Sequence, residues 1–208
     1  MLNKYINEYI ADFDFGPCEH ISGEMCGINF EIDVMEYRDD SQYREKAHIV
    51  LKKGFLTYEC DCIDSHNWDE FFFPLTLSGR AFLCFRKTLY GFTLLDTDTL
   101  TEKYDFFPSE VLEGKESFII ADAKSFEDLI IFDGCYWACP YAYFAYDHAK
   151  KRFLNLSREY GLHSENKYTA EKDALILIGS NDEDEEVRAV IAKEEIYRLL
   201  NEKGTDKF

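Results

Sequence analysis

The first ten residues carry apolar side chains at spacings of three and four, which is the pattern of an amphipathic helix. The apolar positions are Leu2, Tyr5, Ile6, Tyr9 and Ile10. We expect one face of a helix over residues 2–10 to pack on a core. The Gly16-Pro17 pair that follows is expected to end it.

Further along the chain, the pattern changes to alternation and to runs of β-branched and aromatic residues, as in strands. Two strand regions are predicted over residues 28–37 and 47–62, with Gly54 as a turn inside the second. Eight further strands are predicted over residues 71–77, 80–86, 91–96, 101–107, 117–121, 128–132, 141–146 and 153–156. The connections are short and rich in Gly and Asp, so we expect antiparallel hairpins.

The last part of the chain predicts a hairpin followed by a helix. The apolar run at 174–178 and the alternating segment at 187–191 flank an acidic loop at 181–186. Residues 193–201 then place Ile196, Leu199 and Leu200 on one helical face.

These elements predict one α+β domain over residues 1–208, mainly antiparallel β in a meander or sandwich, with a short helix at each terminus. Two aromatic-rich segments, Phe92–Asp96 and Phe144–Asp147, end in aspartates 51 residues apart, which indicates propeller-blade-like four-stranded units. A propeller needs at least about four such blades, so an open or sandwiched sheet is favoured.

The composition indicates a chain that folds unaided and carries a large negative charge. Apolar residues make up 46% of the chain, and 18 Phe and 14 Tyr supply large rings. The net charge of −18 opposes binding to nucleic acid and to anionic membranes, and it favours a basic protein as partner. Solvation alone is the simpler explanation of the charge.

The sequence favours a cytoplasmic protein with most of its thiols free. Glu8 and Asp12 interrupt the N-terminal segment where a signal peptide needs an apolar run, and no stretch predicts a transmembrane helix. An odd number of cysteines, seven, leaves one unpaired in any disulfide scheme.

Sequence motifs of the common catalytic sites are absent. The chain has no glycine-rich phosphate loop, no nucleophile elbow, no His-Glu-x-x-His and no EF-hand spacing. A motif search does not detect catalytic groups that converge from distant segments, and an aspartate pair or a Cys/His pair would be the residues to consider.

One cluster has the residue types of a zinc site, namely Cys60, Cys62, His66, Cys135 and Cys139. Ligands around zinc lie under ~4 Å apart, whereas residues i and i+2 of a strand are separated by about 6.6 Å. We therefore expect both cysteine pairs to need turns if they bind metal. The alternative is that these cysteines are small buried apolar residues, and in that case no cofactor is expected.

The most unusual stretch is the aromatic segment after Gly134. We interpret Tyr136, Trp137, Tyr141 and Tyr143 as a candidate binding surface, with Trp68 in a polar loop as a further candidate. Alternation places Trp137, Tyr141 and Tyr143 on one face, where exposed rings would anchor a protein partner. If that face is buried, the rings belong to the core.

Two acidic segments have simple structural interpretations. Asp96-Thr-Asp98 resembles a cation-binding pair, but the same residues are typical of a hairpin turn, which we favour. The five acids of 182–186 predict a solvated loop, with a basic partner as the functional alternative. We rank a non-enzymatic binding module for a basic partner first, a hydrolase or transferase second, and a structural zinc protein third.

Overall fold

The computed structural model describes residues 2–63, 72–136 and 140–206. The first two sheets are four-stranded. Their strands are β1 (Gly16–Met25), β2 (Ile28–Arg38), β3 (Tyr43–Lys53), β4 (Leu56–Ile63), β5 (Phe73–Leu77), β6 (Arg80–Phe85), β7 (Phe92–Asp96) and β8 (Thr101–Phe106). In both sheets neighbouring strands follow chain order, as in a meander.

The remaining two sheets have four and three strands. Their strands are β9 (Ile119–Phe126), β10 (Leu129–Cys135), β11 (Tyr141–Asp147), β12 (Arg152–Asn155), β13 (His163–Ala170), β14 (Ala174–Ser180) and β15 (Glu186–Ala192). The helices are α1 (Leu2–Ala11), α2 (Ser109–Leu112), α3 (Leu156–Tyr160) and α4 (Lys193–Lys203). The prediction of a mainly antiparallel β fold with a helix near each end is confirmed, and within the described ranges no sheet closes on itself.

Contacts divide the chain into two compact units. The first consists of Met1–Pro74 with Phe82–Phe107, and the second of Leu75–Ala81 with Pro108–Phe208. The single domain over 1–208 stays a prediction. In the described residues, no helix is long and apolar enough to cross a membrane.

The core of the first unit is built from the alternating positions of β2 and β3. Ile32, Val34, Ala47 and Ile49 are buried, and they pack with apolar residues of the segment 82–107. A smaller cluster joins Leu2 and Ile6 of α1 to Ile63 of β4. The helical spacing of apolar residues in 2–10 therefore corresponds to the face of α1 that packs on the core.

The outer face of the β1–β4 sheet is polar and carries a row in which histidine and aspartate alternate. His20, Asp33, His48 and Asp61 stand opposite one another across the four strands. His20 Nδ1 lies 2.7 Å from Asp33 Oδ1, and His48 Nδ1 lies 2.9 Å from Asp61 Oδ1. Neighbouring strands are thus joined by side chains as well as by backbone hydrogen bonds.

The core of the second unit is formed by one face of the β9–β12 sheet, the β13–β15 sheet and helix α4. Its buried members include Ile131, Ala145, Leu175, Leu177 and Ile196. Strand β14 alternates buried and half-buried residues, as the apolar run at 174–178 predicts. Helix α4 buries Ile196, Leu199 and Leu200, the three residues assigned to its apolar face.

The internal similarity corresponds to a repeated turn. Asp96 ends β7 and Asp147 ends β11, each the third strand of a four-stranded meander. The Asp96 carboxylate accepts the backbone N–H groups of residues 98 and 99, both at 3.0 Å. The Asp147 carboxylate accepts those of residues 149 and 150, at 3.1 and 3.0 Å. Asp96-Thr-Asp98 is therefore a turn, as favoured from the sequence.

Two strands were missed by the sequence pattern. β1 lies where the chain was expected only to end a helix, and its residues are exposed or half-exposed throughout. β13 buries only Tyr168. Neither strand has an apolar face of its own, and each is defined by backbone pairing with its neighbour.

Candidate functional site

The aromatic segment predicted as a binding surface is divided between exterior and core. Tyr136 is half-buried with its ring edge-on to Phe118, at 5.6 Å between centroids. Tyr141, the first residue of β11, is 45% exposed, whereas Tyr143 is fully buried. Trp137 and Trp68, the other two residues of that prediction, lie outside the described residues.

Tyr143 is buried because β13 covers it at a bulge between Ser164 and Lys167. Its hydroxyl accepts the Lys167 N–H at 3.0 Å and lies 2.8 Å from the Ile178 carbonyl oxygen, to which it donates. The hydroxyl thereby satisfies backbone groups that the bulge removes from the β13–β14 ladder. Tyr143 faces the core in this structure and offers no surface to a partner.

Tyr141 lies at the rim of an open cleft of about 310 Å³. The polar and charged side chains of the cleft are Asn155, Ser157, Arg158, His163 and Asp182. Asn155 caps α3 by accepting the Arg158 N–H at 2.8 Å, and Gly161 ends this helix with φ of 63°. This short helix therefore holds the Ser157 and Arg158 side of the cleft.

The acidic loop between β14 and β15 is ordered by Asn181. The Asn181 side-chain oxygen accepts the N–H groups of Glu183 and Glu185, at 3.0 and 2.9 Å. Asp184 adopts φ of 60°, a left-handed conformation that Asp and Asn tolerate. All five acids from 182 to 186 are exposed, as the charge run predicts. The loop presents its carboxylates to solvent from a defined backbone.

Asp182 connects this loop to the cleft. Its Oδ1 lies 3.0 Å from His163 Nε2, and its side chain is 91% exposed. His163 begins β13 and pairs with Ser180 at the end of β14. A strand pair thus brings together the loop and the cleft. The cleft that contains Tyr141 therefore also contains one acid of the loop, Asp182.

Compared with known proteins, the chain matches no family model, no curated protein and no solved structure.

The cysteines proposed as zinc ligands are only partly within the described residues. Cys60 and Cys62 lie on one face of β4, with 3.9 Å between their sulfurs, and Cys135 ends β10. His66 and Cys139 lie outside the described residues. The first pair lies in a strand and not in a turn, and its sulfurs are close because side chains at i and i+2 of a strand share a face. No group of three or more potential ligands among the described residues could hold a metal ion.

Lys87 is a buried cation that sequence analysis did not single out. Its Nζ donates to Glu102 at 2.5 Å and lies 3.9 Å from Asp105 Oδ1, and Tyr58 donates to the same Glu102 oxygen at 2.6 Å. Burial acts to lower the pKa of Lys87, but the two carboxylates raise it above its ordinary value. Lys87 therefore stays charged and holds the cluster together, which does not suit a lysine nucleophile.

Asp133 is the most perturbed carboxyl group of the second unit. It is completely buried in β10, and neither oxygen makes a hydrogen bond of ordinary geometry to any described residue. Burial and the charge of Asp122 raise its pKa to about 6, although Ser164 and the Gly134 amide partly favour the charged form. A perturbed carboxyl group is a usual sign of an active site. Asp133, however, has no access to solvent, so it does not favour the enzyme hypothesis.

Proposed function

We propose that the chain is a non-enzymatic binding protein that engages a basic protein through the acidic-loop surface, defined as Tyr141, His163 and residues 182–186. The observation that carries the proposal is the Asp182–His163 contact of 3.0 Å, which joins an exposed run of five acids to a cleft with an exposed aromatic ring. An arginine side chain suits such a surface, because it stacks on a tyrosine ring and pairs with carboxylates.

The charge of the molecule supports the same class of partner. A net charge of −18 attracts a basic protein over a long range and accelerates its encounter. The loop adds a local concentration of carboxylates held by Asn181, so less conformational freedom is lost on binding than with a disordered acidic tail. The proposal is thus supported both by long-range electrostatic attraction and by an acidic loop that is ordered before binding.

Arg158 provides an internal test because it lies in the cleft and has the opposite charge. A basic side chain entering beside Tyr141 is repelled by Arg158 and attracted by Asp182. Removing the Arg158 charge should therefore strengthen binding, whereas removing the loop charges should weaken it. Opposite changes in affinity at Arg158 and at the loop acids would distinguish a specific binding site from diffuse electrostatic attraction.

The experiment measures the affinity of a fluorescent oligo-arginine peptide by anisotropy at two salt concentrations. The loop variant carries Asp182→Asn, Glu183→Gln, Asp184→Asn and Glu185→Gln, and it keeps Asn181. The control variant makes the same charge change at four exposed acids elsewhere, namely Glu24→Gln, Glu59→Gln, Glu116→Gln and Glu171→Gln.

We expect the loop variant to bind about tenfold more weakly, since exposed charge pairs are each worth about 0.2–1 kcal/mol. The control variant should lose much less affinity, and Arg158→Gln should bind more tightly than the parent protein. Equal losses in the loop and control variants would show that only net charge matters and would overturn the proposed site.

A further inference from the structure

Cys60 and Cys62 form a close pair of thiols in the first unit. Their sulfurs are 3.9 Å apart on the inner face of β4, where they stand opposite Ile49 and Ala47 of β3. Cys62 is completely buried, whereas Cys60 is half-exposed. A small reagent can therefore reach the Cys60 thiol, and the Cys62 thiol lies beside it in the interior.

A cation lies in the surroundings of the pair. The Lys87 ammonium group favours a negative charge on Cys62, although burial and the Cys60 hydrogen bond outweigh it and raise the pKa of Cys62. Lys87 is itself paired with Glu102 and Asp105, so the feature that favours oxidation here is an accessible thiol beside a second thiol that can resolve it. Cys60 has the access that such a reaction needs, and Cys62 is held as a protonated thiol within reach.

The local backbone can accommodate a bond between the two sulfurs. Positions i and i+2 of a strand lie about 6.6 Å apart at Cα, inside the upper limit of about 6.8 Å for a disulfide. The sulfurs must approach to about 2.05 Å, so the strand has to bend locally. β4 is hydrogen-bonded in its sheet to β3 alone, so the bend disturbs one ladder only.

We propose that Cys60 and Cys62 are a reversible oxidation site at which a peroxide converts the two thiols into a disulfide within β4. The Cys60 sulfur attacks the peroxide, its S–O bond forms as the O–O bond breaks, and the first water or alcohol leaves. The Cys62 sulfur then attacks the Cys60 sulfenic acid, the S–S bond forms, and water leaves with the hydroxyl group and the Cys62 proton. Two thiols are oxidised and one peroxide is reduced.

The test uses the full chain treated with increasing hydrogen peroxide, then unfolded in guanidinium chloride, alkylated with N-ethylmaleimide and digested with trypsin. Cleavage after Lys53 and Arg80 releases residues 54–80, whose only cysteines are Cys60 and Cys62. Cys135 and Cys139 fall in the separate peptide 125–150, and the exposed Cys18 and Cys26 fall in peptide 5–38. Peptide 5–38 therefore serves as the internal reference for exposed thiols.

We expect peptide 54–80 to become two hydrogens lighter and to lose both alkylation sites, at a peroxide concentration that leaves peptide 5–38 alkylated. Dithiothreitol should restore both sites. In Cys60→Ser, Cys62 should remain alkylated at that concentration, while Cys18→Ser should behave as the parent. Oxidation of peptide 5–38 while Cys60 and Cys62 both stay alkylated would overturn the proposal, and so would overoxidation of Cys60 beside an alkylated Cys62.

Discussion

Asp133 lies directly opposite Tyr143 across strands β10 and β11, and both side chains are completely buried. The Tyr143 hydroxyl is hydrogen-bonded to two backbone segments, whereas Asp133 has no hydrogen bond of ordinary geometry within the described part of the chain. Tyr143 thus stabilises the second unit, whereas the buried carboxyl group of Asp133 destabilises it. The two side chains predict opposite effects of substitution.

Replacing Asp133 by Asn should stabilise the protein at neutral pH. Because the folded pKa of about 6 is raised above the ordinary value, the contribution of Asp133 to stability is full at low pH and is lost as pH rises through 6. We expect the free energy of unfolding of Asp133→Asn, relative to the parent, to increase by about 2 kcal/mol between pH 4 and pH 7. Urea titrations at both pH values measure this change.

The matched control is Asp173→Asn, an identical chemical change at an exposed position. The free energy of unfolding of Asp173→Asn should stay within about 0.5 kcal/mol of the parent value at both pH values. A pH-independent effect of Asp133→Asn would mean that burial does not shift the pKa of this carboxyl group between the folded and unfolded chain.

Replacing Tyr143 by Phe should destabilise the second unit. The change leaves the Lys167 N–H and the Ile178 carbonyl without their partner inside the structure. We expect a loss of about 1–3 kcal/mol in the free energy of unfolding, the usual cost of an unsatisfied buried polar group. Tyr141→Phe, two residues away and 45% exposed, should change it by less than about 0.5 kcal/mol. Similar effects of both substitutions would contradict the assignment of the hydroxyl to the bulge.

Lys87→Met should be costly, since it leaves Glu102 and Asp105 without their buried cation. Both carboxylates are about one-third exposed, so we expect a loss of about 2–3 kcal/mol, less than for a fully buried pair. The double variant with Glu102→Gln should recover part of that loss. A surface pair, Lys52 with Glu31, is the control, and Lys52→Met should cost less than about 1 kcal/mol. Chemical denaturation of the parent, Lys87→Met, Glu102→Gln and the double variant gives the coupling between Lys87 and Glu102.

The two aspartate turns should respond in the same way to substitution. Asp96→Ala and Asp147→Ala each remove two hydrogen bonds to backbone N–H groups, and we expect each to cost about 1–2 kcal/mol. Asn in either position keeps the accepting oxygen and should cost about half as much or less. Thermal unfolding compares the four variants. If Asp147→Ala left the free energy of unfolding unchanged while Asp96→Ala lowered it, the two aspartates would not have the same structural role.

The sequence predicted elements whose side chains alternate or recur with helical spacing, and it failed where backbone pairing alone defines a strand. Helix α1 has clear apolar periodicity because one face of it is buried, and strand β14 is recognisable as a continuous apolar run with no fully exposed residue. Strands β1 and β13 are mostly exposed on both faces, so their side chains carry no such signal. Their positions depend on the neighbouring strand, which a local pattern does not describe.

The candidate surface was predictable only in its separate parts. The exposure of the acid run at 182–186 follows from its composition, whereas the sequence left open whether the Tyr141 ring is exposed. Their connection through His163 depends on the β13–β14 register, over nineteen residues of chain. Alternation also placed Tyr143 beside Tyr141, but the covering of Tyr143 by a bulge in β13 is a tertiary effect.

The row of alternating histidine and aspartate on the β1–β4 sheet bears on the fidelity of strand alignment. A slip of one residue turns the buried face outward and is opposed by hydrophobicity, but a slip of two residues keeps every apolar side chain inside. After such a slip of β1 against β2, Cys18 or Ser22 would replace His20 opposite Asp33, and the 2.7 Å contact between His20 and Asp33 would be lost. The contacts of the polar row thus favour the native alignment over one that buries the same apolar side chains. Solvent-facing side chains therefore help to select the native register.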